Sequence, residues 1–260
     1  LAHRLDLDYQ VFDLKNRDQV RTAISQTDVL MNCAGPFQYT YKPLVDACIK
    51  EKVHYLDITG EIPVFQAIQA RDEESKAAGV MLLPGTGFDV VPTDCLALHL
   101  KNKLPSANEL TLAYMQEGPA GLPPGTVKTS IELIPYGINI RRKGKLQQAP
   151  DPFATRMINF GSGEKEAIRL NWGDVFTAYY STRIPNISNY AVLHPKVIAR
   201  LKQVRKIRFL FRMKWLRNRM QNQMKGGSTP EQRSQTRMHL WGEVKDEQGN
   251  TAQARLHGPE

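Results

Sequence analysis

The sequence predicts an α/β fold in which a doubly wound parallel sheet precedes an α+β region that has a mixed or antiparallel sheet and one long basic helix. Three observations predict it. Through residue 84, short apolar runs alternate with helix-length stretches, the pattern of a parallel sheet. From about residue 105 the texture changes to a Gly/Pro-rich loop and scattered strand-like runs. Between Asp174 and Glu231 lie 12 basic residues and no acidic one, over a stretch with helical spacing.

Residues 9–14 read as a short strand, and Asn16 has the side chain to cap a helix reaching about Ser25. Residues 29–33 form a buried strand closed by a turn at Ala34, Gly35 and Pro36. Residues 42–52 are helical, with Leu44, Val45, Cys48 and Ile49 on one face. A strand at 54–58, a helix over 61–78 stopped by Gly79 and a strand at 80–83 complete the alternation. Such short apolar strands fit a sheet covered on both faces. A helix over 93–103 follows, with Thr93 or Asp94 as its cap. Thereafter strands are expected at 109–116, 138–146, 156–160 and 174–181, with a helix over 126–134. The long helix spans 196–224, with Pro195 in its first turn and Gly226-Gly227 at its end. A hairpin of 238–244 and 252–256 closes the chain. The domains are accordingly 1–104 and 105–260.

A content of 41% hydrophobic and 23% charged residues is ordinary for a globular protein. No apolar run reaches the roughly 18 residues of a membrane span. Residues 1–8 lack a signal-peptide pattern and an initiator Met and read as the tail of a helix, so the chain is expected to begin inside a longer protein. Cys33, Cys48 and Cys95 show no C-x-x-C spacing, which favours free thiols in a reducing, cytoplasmic setting and argues against zinc; no metal site is expected. The net charge of +9 is concentrated in the 196–224 element, the remainder being slightly acidic, so a general nucleic-acid surface is not expected. Asn186-Ile187-Ser188 matches a glycosylation sequon and is read as chance. The six histidines, His3, His54, His99, His194, His239 and His257, are scattered and read as structural.

Four motifs carry chemistry. Asn32, Cys33, Ala34, Gly35, Pro36 and Phe37 follow a strand, where ligands of doubly wound sheets sit, and the small turn lets backbone amides approach one. A tight turn alone would look the same. Asp13, at the end of an earlier strand, reads either as an acceptor for an adenine amino group or as a solvated turn residue. The run from His54 to Glu61 brings Asp57, Thr59 and Glu61 to the same edge, although Glu61 also suits the start of a helix. In Pro84–Pro92, Gly85 and Gly87 begin a G-x-G-x-x-G pattern, but Val90 holds the third glycine's place. The segment is therefore read as a hinge or cleft wall, with Asp89 as its carboxylate.

Together with Trp172-Gly-Asp174, Thr177–Thr182 and Ile184-Pro-Asn186, these motifs resemble the saccharopine dehydrogenase-like oxidoreductases, the trans-acting enoyl reductase subgroup most closely. The resemblance implies a Rossmann-type domain binding NAD or NADP, then a domain supplying the substrate cleft and often a homodimer contact. It places Asn32–Phe37 against the cofactor, Asp13 near the adenine and Gly85–Asp89 on the nicotinamide side. It also implies a missing opening strand, Gly-rich turn and helix, the part that seats pyrophosphate. The expected activity is hydride transfer to or from a C=N, C=O or enoyl-type group of a small-molecule or acyl substrate, with Asp89, Tyr136 and Tyr179 as candidate acids. The alternative is a degenerate reductase fold acting as a scaffold or lipid-surface protein. In that reading, basic residues beside Phe209, Phe211, Trp215 and Leu216 lie on an anionic membrane.

Overall fold

Asn16 does cap the first helix, α1 (Arg17–Ile24): its side chain accepts from the Gln19 amide at 3.2 Å. The structure is a computed structural model and describes residues 5–121, 123–223 and 227–259. His3 and the helix end at residues 224–226 lie outside the described residues. The chain divides into two compact units, 1–88 and 89–260.

In the first unit, β1 (Val29–Asn32), α2 (Phe37–Glu51), β2 (His54–Asp57), α3 (Ile62–Gln69), α4 (Asp72–Ala78) and β3 (Leu82–Leu83) follow one another. The strands form a parallel sheet in the order β1-β2-β3, with Asn32 opposite Asp57. Leu30, Tyr55 and Leu82 pack with Val20, Val45, Cys48, Val64 and Ile68 on one face. Two expectations fail here. The helix over 61–78 breaks into α3 and α4 at Ala70-Arg71, and Gly79 ends α4 in the left-handed conformation. The sheet is also not covered on both faces: Val29, Met31, Met81 and Leu83, which point away from the core, are about half exposed.

Residues 9–14 form no strand. Val11 is 89% exposed, and the sheet offers this segment no pairing in the described residues. A lone strand has no partner for its backbone groups, so alternation by itself does not create one.

The second unit opens with α5 (Val91–Lys103), whose N-cap is Val90; Thr93 and Asp94 lie inside its first turn, contrary to expectation. β4 (Glu109–Glu117) and α6 (Pro124–Leu133) follow, then a 3-10 turn at Ile134–Tyr136. The single strand expected at 138–146 is a hairpin of β5 (Asn139–Arg142) and β6 (Lys145–Gln148). Its two-residue turn, Lys143-Gly144, has φ of 48° and 75°, the mirror-image turn that matches strand twist. β7 (Thr155–Asn159) and β8 (Glu164–Arg169) make another hairpin.

The strand expected at 174–181 is a helix, α7 (Asp174–Thr182). Val175, Ala178 and Thr182, spaced three and four apart, are all buried, a helical period hidden among aromatic and β-branched residues that suggested a strand. Next come β9 (Asn186–Val192), α8 (Pro195–Ile207), a 3-10 segment (Arg208–Arg212) and α9 (Lys214–Gln223). The long basic helix is thus broken. Arg217, 8% exposed, donates to the carbonyls of Phe211 and Arg212 at 2.6 and 3.0 Å and pairs with Glu132 at 3.0 Å, taking up backbone acceptors freed at the break. α10 (Pro230–Ser234), with a Thr229–Gln232 capping box, leads into β10 (Arg237–Lys245) and β11 (Thr251–Pro259).

These strands build one mixed sheet in the order β11-β10-β4-β9-β5-β6, with β8 also on β9 and β7 on β8; only β4 and β9 pair in parallel. α5 and α7 cover one face over Leu110, Leu112, Tyr114, Ile187 and Leu240, while Ala113, Met115, Ile158, Phe160 and Trp241 pack on the other. Residue 105, the expected domain boundary, lies just after α5. Asn186, the sequon residue, uses its side chain to accept from Lys143 N and donate to Asn108 O within the sheet.

Candidate functional site

The carboxyl ends of β1, β2 and β3 are tied together by one continuous hydrogen-bond network. Asn32, 4% exposed, donates from Nδ2 to Thr40 Oγ1 at 3.2 Å and to the Tyr55 hydroxyl at 3.1 Å, and its Oδ1 accepts from Ala34 N at 3.0 Å. Tyr55 directs its own proton to Asp57 Oδ2 at 2.9 Å. Asp57 Oδ1 receives Thr59 N at 3.0 Å and Gly85 N at 2.8 Å, and the Asp57 carbonyl receives Thr86 N and Oγ1 at 2.7 and 2.8 Å. Glu61, 2% exposed, is not a mere dipole partner of its own helix. Its carboxylate takes Phe37 N at 2.7 Å and Gln38 N at 2.9 Å, closing the first turn of α2 from 24 residues away. The turns after residues 33, 58 and 84 therefore meet on one rim.

Glycine is required at that rim. A Cβ on Gly87 would stand 2.8 Å from Ile58 Cβ, and Gly85 sits at φ +78°. Burial dominates the electrostatics: it raises the Asp57 carboxyl above its ordinary value despite the three donors it receives, and it raises the Tyr55 hydroxyl further, with Asp57 beside it. Cys48, behind the sheet, is pushed up to about 12 by burial and stays a thiol, whereas Cys33 is exposed on the rim.

Of the residues expected at the cofactor, Asn32, Cys33, Ala34, Gly35, Pro36, Phe37, Asp57, Gly85 and Gly87 all belong to this rim or to the turns that form it. Asp13 does not: its Oδ1 accepts from Lys15 N at 2.9 Å in an exposed turn, with no strand end to hold it. Tyr55, which bridges the ends of β1 and β2, and Thr40, which ties Asn32 to Ala34 O, were not singled out from sequence. Tyr55 was discoverable as the residue two before Asp57, hence on the same strand face.

A second polar constellation lies in the 89–260 unit. Burial pushes the Asp89 carboxyl up to about 6, and Asp89 in turn raises the buried Tyr114 hydroxyl, after burial itself. Tyr114 stacks on Trp172 at 4.3 Å. Asp174 is fully buried, and neither of its oxygens receives a hydrogen bond in the described structure. Thr93 faces it, but the Thr93 hydroxyl donates to Val90 O at 3.1 Å. With burial first, and Asp94 and Asp89 nearby, the Asp174 carboxyl is raised well above the usual range. The other two candidate acids keep different company. Tyr179, on a helix rather than a strand, lies against the buried Arg141 guanidinium at 4.2 Å, and Tyr136 is 61% exposed at the end of its 3-10 turn.

Residues 1–83 match the family model described as the saccharopine dehydrogenase NADP binding domain. Over those residues the chain is similar to saccharopine dehydrogenases. Its curated relatives include the human saccharopine dehydrogenase-like oxidoreductase, 29% identical over 137 residues, which are 51% of this chain and 32% of the relative. A trans-acting enoyl reductase of Mycobacterium leprae is 28% identical over 95 residues, 36% of this chain and 23% of the relative. The matched stretch thus spans about a third of the human relative's length. Among solved structures, apo saccharopine dehydrogenase (L-Glu forming) from Saccharomyces cerevisiae superposes with a TM-score of 0.60 at 9% identity, over 99% of this chain and 77% of the other, a likeness of fold. NAD or NADP, the cofactor expected from sequence, agrees with the matched domain.

The rim's donor set suits the uncharged part of such a dinucleotide. Its carboxylates, Asp57 and Glu61, are already engaged by internal donors, its other side chains are neutral, and no Lys or Arg is among its residues. Anchoring of phosphate is not built into it.

Proposed function

We propose that this chain belongs to an NAD(P)-dependent oxidoreductase that passes hydride to or from a C=N, C=O or enoyl-type group. The observation that carries the reading is the locked rim, where Asn32, Asp57, Glu61 and Gly85 hold three strand-end turns together. When bound, a nicotinamide would give or accept the hydride; the chain's residues orient it and keep water away. Cys33, Ala34 and Gly35, small and exposed, leave room for a flat ring, and Asp57 and Glu61 fix the turns around it. The proton is assigned to Asp89, which holds one into the weakly acidic range and is therefore suited to general acid work near neutrality.

Fluorescence titration with NADPH and NADH tests the reading. Saturable binding supports it, and absence of binding overturns it. Asp89→Asn in the active protein should lower turnover by about 10²–10⁴-fold while leaving cofactor binding in place.

The alternative, a lipid-surface role, has its own observation. Phe209 and Trp215 are each 60% exposed and Met213 39% exposed, next to exposed Arg212, Lys214 and Arg219. The side chains of Arg205 and Arg208 lie outside the described residues. Among the described residues no helix is long and apolar enough to cross a membrane, so this association would be interfacial. Flotation with vesicles containing anionic lipid, lost on Trp215→Ser and on charge reversal at Arg212, would support it; flotation indifferent to both would remove it. A reducing, cytoplasmic setting and a homodimer complete the proposal, the former supported by the three free cysteines.

A further inference from the structure

His239 on β10 and His257 on β11 are directly paired across the antiparallel ladder. Their Nδ1 atoms stand 2.7 Å apart, with ring centroids 4.9 Å apart and the planes at 67°. Two N–H groups cannot face each other at that distance, so one Nδ1 holds the proton of an N–H···N hydrogen bond and the other presents its lone pair; a metal that takes both lone pairs displaces that proton to the far ring nitrogen or to solvent. On the far side of the His239 ring, Glu117 Oε2 from β4 lies 3.1 Å from Nε2, and Nε2 has no hydrogen-bond partner in the described structure. A carboxylate next to the outer nitrogen favours the tautomer with hydrogen on Nε2 and the lone pair on Nδ1, the usual support for a metal-binding histidine.

We propose that His239 and His257 form a two-imidazole site for a divalent transition metal of tetragonal preference, Cu(II) or Ni(II), with Glu117 as the positioning residue and water completing the coordination. The spacing selects the geometry. With metal–nitrogen bonds of about 2.0–2.1 Å, nitrogens 2.7 Å apart subtend an angle of about 80° at the metal. That is near the right angle of a tetragonal ion, whereas a tetrahedral zinc site would need nitrogens about 3.3 Å apart. Among the described residues no third His, Cys, Asp or Glu joins the pair as a ligand. Because the ligands belong to neighbouring strands, bound metal would pin the outermost strand of the larger sheet to β10.

The test compares the chain with His257→Ala, an exposed edge-strand substitution, by calorimetric titration with CuCl2, NiCl2 and ZnCl2 and by thermal melting. The wild-type chain should bind one more equivalent of Cu(II) than the variant, more tightly than Zn(II), and only the wild type should gain melting temperature through this site. Its Cu(II) spectrum should show a tetragonal ion with two nitrogen ligands, and Glu117→Gln should weaken binding about 10-fold or more while keeping the equivalent. Equal copper stoichiometry and equal thermal gain in wild type and His257→Ala would overturn the proposal. So would tighter binding of Zn(II) than of Cu(II) at this site.

Discussion

The two units treat their buried polar groups differently. In residues 1–88, Asn32, Asp57 and Glu61 are nearly or fully buried, and each is matched to named donors or acceptors. The buried polar atoms without a partner among the described residues all lie in residues 89–260: Asp94 Oδ1, Arg169 Nε, Trp172 Nε1, both oxygens of Asp174, Thr177 Oγ1, the Asn189 amide and His239 Nε2. The apolar surface runs the other way. The small parallel sheet leaves Val29, Met31, Met81 and Leu83 half exposed on one face, while the large mixed sheet has packed residues on both. The first unit is a hydrogen-bonded polar frame on an incompletely covered sheet. The second is a well-covered sheet that tolerates an uncompensated carboxyl. Unsatisfied buried groups are costly, so their persistence marks a place where packing alone did not decide the sequence.

Removing core volume from the smaller unit tests this contrast most severely. Ile68→Ala, at a 3% exposed position in the core on the covered face, should cost about 2–5 kcal/mol in denaturant unfolding. A loss under about 1 kcal/mol would show that the three-stranded unit does not depend on its covered face. Next in size is the rim. Asp57→Ala strands the Tyr55 hydroxyl and the amides of Thr59 and Gly85, at about 1–3 kcal/mol for each group that finds no new partner. Slowed-exchange protection of the Gly85 amide, read by hydrogen exchange, should fall with it.

Asp174→Asn should go in the opposite direction. Folding favours the acid form of Asp174, so its contribution to stability is complete below the unfolded-chain value of about 3.9 and is lost as pH rises through the raised folded value. Asparagine has no proton to lose. The variant's melting temperature should therefore exceed the parent's by a margin that widens as pH rises above the unfolded-chain value of about 3.9. A margin that shrinks with pH would mean that Asp174 is ionised and paired. The smallest effect is expected on the open sheet face: Met31→Thr should change stability by less than about 0.5 kcal/mol but reduce binding of a hydrophobic dye.

Much of the rim was readable because it depends on short-range chemistry. The small residues after β1, Asp57 at a strand end and Gly85 and Gly87 before a helix are each visible within a few positions. Glu61 shows the limit. Its placement near the edge followed from sequence, but its partners, the Phe37 and Gln38 amides, are 24 and 23 residues away. The strand expected to end at Asp13 is absent for the complementary reason, because a lone strand has nothing to pair with.

From the sequence alone came the alternation that makes a parallel sheet, the Asn16 cap, the Gly79 stop and the concentration of positive charge in one element, since these rest on local periodicity, capping and composition. Long-range contacts settled that 9–14 would not be a strand, that 174–182 would be a helix and that the basic helix would break where Arg217 is buried against Glu132. In each case the free energy lies in contacts between segments far apart in the chain, and local propensity of a few tenths of a kcal/mol per residue yields to burial and hydrogen bonding that only the assembled fold supplies.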